Sequence, residues 1–461
     1  MGGRCAAVPA RADDALVGAT TAFGSGGVAA GAGAGAAAAA GDAAAAGAGL
    51  AAAALGATHA NGNAAADAGT AQPAGRDAAA GLPAPVGPRF AMVAGEASGD
   101  LLAALLLSAL RARWPQLAAA GVGGPLMRAQ GFDAWWSSDR LAVNGFVDAL
   151  GELPALWQLR RRLGARLLAE RPALFVGIDA PDFNLGLERR LKRGGLRCVH
   201  FVCPSVWAWR EGRAARLAAS ADQVLCLFPF EPALLARHGV AATFVGHPLA
   251  DLIPPEPPRA AARAELGLSD ADTVLALLPG SRAAEVTRLA PRFVDAAARL
   301  HAQRPQLRFV LPAAPGMRPL IEPLLAAPRL PLTLVDGRAH AVLAACDLAL
   351  VASGTATLEA ALFKRPMVVA YHTHALNWWI VEHFVHTRWA SLPNILAGQA
   401  VVPELLQHAA TPEAIAAELG RLLDDPARQQ AMRACFAGLH QQLRRDTARA
   451  ATDAIAQLVA A

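Results

Sequence analysis

Lysine is almost missing from this 461-residue chain: of its 42 basic residues, only Lys192 and Lys364 are lysine. No dense Lys/Arg tract interleaves with aromatics, so the usual footprint of a nucleic-acid binder is absent. The six cysteines (Cys5, Cys198, Cys203, Cys226, Cys346 and Cys435) form no C-x-x-C pair, and no Cys/His set has zinc spacing. Several sit in apolar runs, which predicts buried free thiols in a reducing compartment. No segment carries about eighteen strongly apolar residues, so no membrane span is expected. No basic patch precedes a Leu-rich core at the N-terminus, which argues against a secretory signal. Ala6 stands where a myristoylation site needs Ser or Thr.

What is present suits large cores. The chain is 54% hydrophobic and 17% charged, and its length predicts two domains. Net charge is +5. The first 88 residues hold Arg4, Arg11 and Arg76 against Asp13, Asp14, Asp42, Asp67 and Asp77, a balance of −2 that leaves +7 for the remainder. A basic remainder suits an anionic substrate or an anionic membrane surface. Residues 1–88 are Ala/Gly low complexity with little to bury, which predicts disorder. That stretch reads as a dispensable extension or as a start placed too far upstream.

From Phe90 the chain alternates apolar runs with amphipathic segments. Phe90–Ala94, Leu174–Ile178, Arg197–Val202, Gln223–Phe228 and Thr243–Val245 read as strands of a first α/β domain over 89–253. Leu101–Arg113 and Leu153–Glu170 read as helices, and Val122–Pro125 as a Gly turn. The cluster from Pro254 to Pro258 reads as a stiff linker. Val274–Leu278, Arg308–Leu311, Leu332–Val335, Leu348–Val351 and Pro366–Val369 repeat the rhythm in a second domain over 259–410. Residues 411–461 read as helices able to pack back on the first domain. The expected fold is α/β, with two Rossmann-like domains facing a cleft.

The stretch Thr273–Glu285 organises this reading. Val274–Leu278 is a buried parallel strand, Pro279-Gly280 a tight turn, and the segment after Ser281 a helix start. Such a turn aims free backbone N–H groups and a helix dipole at one point, and Arg282 adds a fork suited to phosphate. Leu348–Val351 runs into a second turn of this kind, with Ser353, Gly354 and Thr355 as donors and Glu359 as a possible ribose acceptor. Each turn alone is also compatible with an ordinary capped helix. Asp179, where Leu174–Ile178 stops, faces the expected cleft as a general base or caps the next helix. Asp182 and Asn184 are rivals or partners; Glu96, Ser98 and Asp100 read as loop and cap residues. His200 and His247 read as isolated structural histidines. Trp157, four arginines and the aromatic stretch from Asn377 to Trp389 suit either a core helix with a solvated face or contact with a bilayer.

Six ordered stretches resemble the lipid-A-disaccharide synthase family: Val93–Asp100, Val176–Asn184, Pro204–Arg210, Leu277–Arg282, Ala352–Glu359 and Ser391–Gly398. The resemblance runs from about Phe90 to the C-terminus; the leading extension departs from it, and Cys203 stands where the family often has Ser. It implies a GT-B glycosyltransferase that moves 2,3-diacylglucosamine from its UDP conjugate to the 6-hydroxyl of 2,3-diacylglucosamine 1-phosphate (lipid X) with inversion. By motif, Asp179 would be the base, Ser281 and Arg282 would hold the diphosphate, and Ser353, Gly354, Thr355 and Glu359 the UDP, with Asn394 and Gln407 as softer UDP-site candidates. No cofactor and no metal are expected. The expected partners are UDP-2,3-diacylglucosamine, lipid X and the cytoplasmic face of an anionic inner membrane, with a homodimer as a further expectation and no nucleic acid. A UDP-sugar 2-epimerase and a nucleotide-binding peripheral membrane protein are the alternatives.

Overall fold

The computed structural model describes residues 87–95, 97–141, 146–204, 211–326, 330–374, 378 and 388–460. The Ala/Gly-rich stretch, Glu96, the Ser205–Arg210 motif and most of the Asn377–Phe384 stretch lie outside them.

The first domain alternates β1 (Arg89–Ala94), α1 (Ala97–Arg113), β2 (Ala118–Gly123), α2 (Pro125–Ala129), β3 (Asp133–Ser137), α3 (Phe146–Glu170), β4 (Leu174–Ile178), α4 (Pro181–Arg193) and β5 (Cys198–Phe201). It continues through α5 (Glu211–Ser220), β6 (Gln223–Cys226), α6 (Glu231–Ala236) and β7 (Ala242–Phe244), after which α7 (Pro248–Leu252) buries Leu249 and Ala250 in the core of the second domain. Its seven strands are parallel, in the order β3-β2-β1-β4-β5-β6-β7. Alternation splits β1 between two cores. Phe90, Met92 and Ala94 join Leu106 and Leu107 of α1 on one face, while Ala91 and Val93 join Leu159, Leu163 and Leu167 of α3 and Leu187 and Leu191 of α4 on the other.

The second domain runs α8 (Arg259–Glu265), β8 (Thr273–Leu278), α9 (Ala283–Gln303), β9 (Leu307–Ala313), α10 (Arg318–Ile321), β10 (Leu332–Asp336), α11 (Ala339–Ala345), β11 (Leu348–Val351), α12 (Thr355–Leu362), β12 (Met367–Tyr371), α13 (Leu392–Ala397) and β13 (Glu404–Leu406). Its six strands are parallel in the order β10-β9-β8-β11-β12-β13. Three helices close the chain: α14 (Pro412–Leu423), α15 (Pro426–Leu443) and α16 (Thr447–Ala460). Met432, Phe436 and Leu443 of α15 join the second domain's core. Ala451, Ala454 and Ile455 of α16 join the first, packing on α1.

Three strands depart from the sequence reading. β2, spelled Ala-Ala-Ala-Gly-Val-Gly, has Val122 as its one branched residue and was expected to lead only into a Gly turn. It forms because it lies beside β1, where Gly121 at φ +144° lets the backbones close; a Cβ there would sit 2.2 Å from the Met92 carbonyl oxygen. β3 and the three-residue β13 are edge strands with no buried run. Helix α1 begins at Ala97, so Ser98 and Asp100 lie inside its first turn. Asp100 is buried there, and its carboxylate accepts the backbone N–H groups of Gly124, Leu126 and Met127 at 2.8, 2.9 and 3.2 Å, fixing the start of α2. Asp100→Ala strands three donors, and a loss of about 3 kcal/mol is expected. Thermal unfolding checks this; an unchanged midpoint would contradict the assignment.

Candidate active site

Strand order reverses once in each sheet, between β1 and β4 in the first and between β8 and β11 in the second. At such a switch point the two loops leaving the strands diverge to opposite faces and leave a crevice at the carboxyl ends. The loops that follow these four strands carry Gly95 to Asp100, Asp179, Pro279 to Arg282 and Ser353 to Glu359. Topology therefore gathers the sequence candidates at two places, one per domain.

In the first domain, β4 is buried along its whole length and ends at Asp179. Asp179 and Ala180 both take left-handed backbone, at φ +50° and +43°. For residues with a Cβ this costs roughly 1–2 kcal/mol each. The corner is held from three sides. The Asp179 N–H donates to the Phe201 carbonyl at 2.8 Å. The Asn184 amide donates to the Asp179 carbonyl at 2.8 Å and to that of Ile178 at 3.3 Å. Ala180 is the N-cap of α4 and makes no side-chain cap, so Asp179 does not cap that helix. Burial pushes the Asp179 carboxyl above the usual carboxylate range, while His200 and the Ala180 backbone pull it partway back.

His200 is not isolated. Its Nδ1 lies 2.7 Å from Glu188 Oε1, and both side chains are fully buried. Burial disfavours the imidazolium, but the charge and hydrogen bond of Glu188 outweigh it, Asp179 adds to them, and the His200 pKa is raised. His247 differs: it caps α7 through Nδ1, 3.2 Å from the Leu249 N–H, and burial pulls its pKa down to about 4. Asp182 is exposed on the first turn of α4. Asn184 serves the backbone of Asp179. Ser98 is half-buried on α1.

In the second domain, Gly280 has φ +119°, and a Cβ there would meet the Glu285 side chain at 2.6 and 2.8 Å. Arg282 is the extended N-cap of α9 and pairs with Glu285 Oε1 at 3.6 Å, while the Ser281 N–H donates to Glu285 Oε2 at 3.4 Å. A carboxylate of the chain thus already sits over the helix N-terminus, where a phosphate would compete for the same donors. Gly354, at φ +89°, is the N-cap of α12, with Ser353 and Thr355 half-buried on either side. Glu359, one turn on, is buried and accepts from or donates to His340 Nε2 across 2.9 Å rather than being solvated.

Asn394 departs from the expectation that it faces a ligand. The Asn394 amide donates to the Val402 carbonyl and Glu404 Oε1 and accepts the N–H groups of Val401 and Val402, all within 2.7–2.9 Å. Two donors and two lone pairs are its whole capacity, so nothing remains for a ligand. Gln407 accepts the Thr373 N–H at 2.7 Å and donates to its carbonyl at 3.2 Å, pinning the end of β12. The Asn394 amide is spent on bracing its loop, whereas Gln407 spends one acceptor and one donor position on Thr373.

Among the described residues, Cys203, Cys226 and Glu231 bring ligand atoms within 4.8 Å of one another. Hydrogen bonding to Cys226 and burial hold the Cys203 thiol far above its ordinary pKa, and Glu231 already accepts the Phe228 N–H at 3.0 Å. Cys203 and Glu231 are thus already engaged in the fold's own hydrogen bonding.

Known proteins place this geometry. The family model described as lipid-A-disaccharide synthetase matches residues 90–458. The lipid-A-disaccharide synthase of Verminephrobacter eiseniae (strain EF01-2) is 54% identical over 381 residues, covering 81% of this chain and 97% of that protein. Among solved structures, the UDP-GlcNAc 2-epimerase from Neisseria meningitidis, bound to UDP-GlcNAc, superposes with a TM-score of 0.54 at 11% identity, covering 80% of this chain and 99% of that one. A glycotransferase of kitacinnamycin does so with a TM-score of 0.51 at 17% identity, covering 81% and 99%. At those identities the two structures share the fold alone, whereas the sequence match is specific: the chain belongs to the lipid-A-disaccharide synthetase family.

Proposed function

We propose that the protein transfers 2,3-diacylglucosamine from UDP-2,3-diacylglucosamine to the 6-hydroxyl of 2,3-diacylglucosamine 1-phosphate, releasing UDP and the β-1′,6-linked disaccharide 1-phosphate. The observation that carries this reading is Asp179: a carboxylate at the switch point of the first sheet, held in strained backbone by a buried network, in a chain of this family. An α-linked donor gives a β-product by one in-line attack. That attack needs a base on the acceptor hydroxyl and charge stabilisation on the departing diphosphate. Asp179 takes the proton from the 6-hydroxyl as its oxygen bonds to the anomeric carbon and the bond to UDP breaks. Ser281, Arg282 and the N-terminus of α9 receive the diphosphate. Ser353, Gly354 and Thr355, at the N-terminus of α12, hold the rest of UDP together with Glu359. The dipoles of both helices and Arg282 supply the positive charge, so no metal and no cofactor are needed in this reading.

The lipid substrates place the work at a membrane surface. Among the described residues no helix is long and apolar enough to cross a membrane. Helix α3 instead buries Leu159, Leu163 and Leu167 and leaves Trp157 54% exposed, with the Arg161 guanidinium 5.5 Å from its ring. An exposed tryptophan among arginines suits the headgroup layer of the anionic inner membrane on its cytoplasmic side.

Asp179→Ala is expected to lower kcat by about a thousandfold while UDP binding persists. Wild-type-like turnover would refute the base. Because burial raises the Asp179 pKa, the wild-type acid limb of kcat/KM should lie above the ordinary carboxylate range, with activity rising as pH rises through it. Arg282→Ala should cost about a hundredfold in kcat/KM for the donor, and excess chelator should change neither enzyme; loss of turnover on chelation would end the metal-free reading. Trp157→Ser should weaken co-sedimentation with phosphatidylglycerol vesicles severalfold and leave folding unchanged; equal binding would move the membrane contact elsewhere.

A further inference from the structure

Three features that each carry a cost converge beneath Asp179. The first is Gly177, in the middle of the fully buried β4. Glycine weakens a strand interior and marks a place where something approaches closely. Here a Cβ would stand 2.1 Å from Glu188 Oε1 and 3.1 Å from the Asn184 side chain, so the strand gives up a side chain to admit the Glu188 carboxylate. The second is the Glu188–His200 pair, which is wholly removed from water. A buried pair adds little stability over well-packed apolar residues of similar volume. The third is the pair of left-handed residues at the corner itself.

Alternation explains how they meet. Gly177 pairs with His200 across β4 and β5, on the face covered by α4. Asn184 and Glu188 are four residues apart on α4, so both point at that face. Asn184 grips the Asp179 carbonyl, and Glu188 takes His200 Nδ1. The charges of His200 and Asp179 act on each other directly. Around the imidazole, the titratable groups coupled to it are Glu188 from α4 and Asp179 from the end of β4. Cys198, on β5 itself, also feels Glu188, and its thiol is pushed up and stays protonated.

We infer that Glu188 and His200 are positioning residues for Asp179: Glu188 keeps the His200 imidazole positively charged beneath the strand end, and that fixed charge keeps the Asp179 carboxylate ready to accept a proton. The inference rests on Asp179 as the base. It gives the chain a way to hold a half-buried base without letting it become a neutral acid.

Glu188→Gln is the discriminating change, since it keeps the shape and the hydrogen-bond acceptor for Nδ1 and removes only the charge. Without the imidazolium, Asp179 holds its proton more tightly. The acid limb of kcat/KM should therefore move up by about one pH unit, and kcat near neutral pH should fall about tenfold, with KM for the UDP-sugar within about twofold. Nitrogen NMR of the imidazole should show His200 doubly protonated in the wild type near neutral pH and singly protonated in Glu188→Gln. An unmoved pH profile with full turnover in Glu188→Gln overturns the inference, as does a neutral His200 in the wild type. The wild-type spectrum decides the matter even if the variant fails to fold. Asp179→Asn, measured alongside, separates the two levels. Full turnover there removes the base, whereas an inactive Asp179→Asn beside a normal Glu188→Gln removes only the positioning role.

Discussion

A base must be charged to work, and a parallel sheet is a poor place to keep charge. Every strand around Asp179 is buried, and the first cost of placing a carboxylate at the end of β4 is lost hydration. The chain offsets that cost locally. Asn184 and the Phe201 carbonyl hold the backbone of the corner, and the Glu188–His200 pair lies against β4 and β5 just below it, where His200 lowers the Asp179 pKa. Gly177 makes room for this pair and the left-handed residues turn the chain above it. The backbone that carries Asp179 is thereby fixed, which on the proposed reading is the condition for electrostatic catalysis to need no rearrangement.

On the proposed reading, the second domain has the opposite problem, holding negative charge that arrives from outside. Two helix N-termini, α9 and α12, stand at the switch point of its sheet, each preceded by a glycine with positive φ that lets the backbone fold tightly. Glu285 occupies the first of these in the free chain, touching both Ser281 and Arg282. A carboxylate of the chain there keeps the donors satisfied and Arg282 in place, and a doubly charged diphosphate outbids it by charge alone. Bracing is left to amides. Asn394 and Glu404 fasten the loop after α13 to β13, and the Glu404 carboxylate also takes Ser391, whose backbone bridges Gly354. The UDP-side turn is thus tied to a second loop.

Much of this was legible in the sequence because strands buried on both faces read as plain apolar runs. β4 and β11 fall on the residues the runs marked, and β8 and β1 begin one residue earlier. The turns after them were marked by glycine. β2, β3 and β13 were not legible, since alanine-rich and edge strands owe their form to a neighbour rather than to their own pattern. His200 looked isolated because its partner lies twelve residues earlier on another element. Two signals pointed to that partner: a glycine inside a buried strand, and Asn184 and Glu188 spaced four apart on the otherwise apolar inner face of α4. Asn394 misled for a related reason. An amide in a motif looks the same whether it binds a ligand or the backbone, and only the count of its hydrogen bonds tells them apart.

How the two domains are joined follows from the last helices. The chain leaves the first domain at Gly246 to Pro258 and returns between α15 and α16. These two crossings are fastened to each other. The His247 N–H donates to the Leu443 carbonyl at 2.9 Å, and the Asp251 carboxylate accepts the Asp446 N–H at 3.0 Å and the Thr447 N–H and hydroxyl at 2.7 and 2.6 Å. Gly246, at φ +90°, has no room for a Cβ, which would fall 2.6 Å from Arg445. Helix α16 is then held to the first domain by Arg197, which donates to the carbonyls of Leu458 and Val459. A single linker would let one domain swivel freely about the other. Two crossings bonded side by side leave a common line about which the domains can turn, and sliding along it would break the Asp251 bonds. On the proposed reading, the base on one domain and the diphosphate site on the other must part to admit lipid substrates and meet again in the same register, and two bonded crossings serve that in-line geometry better than one.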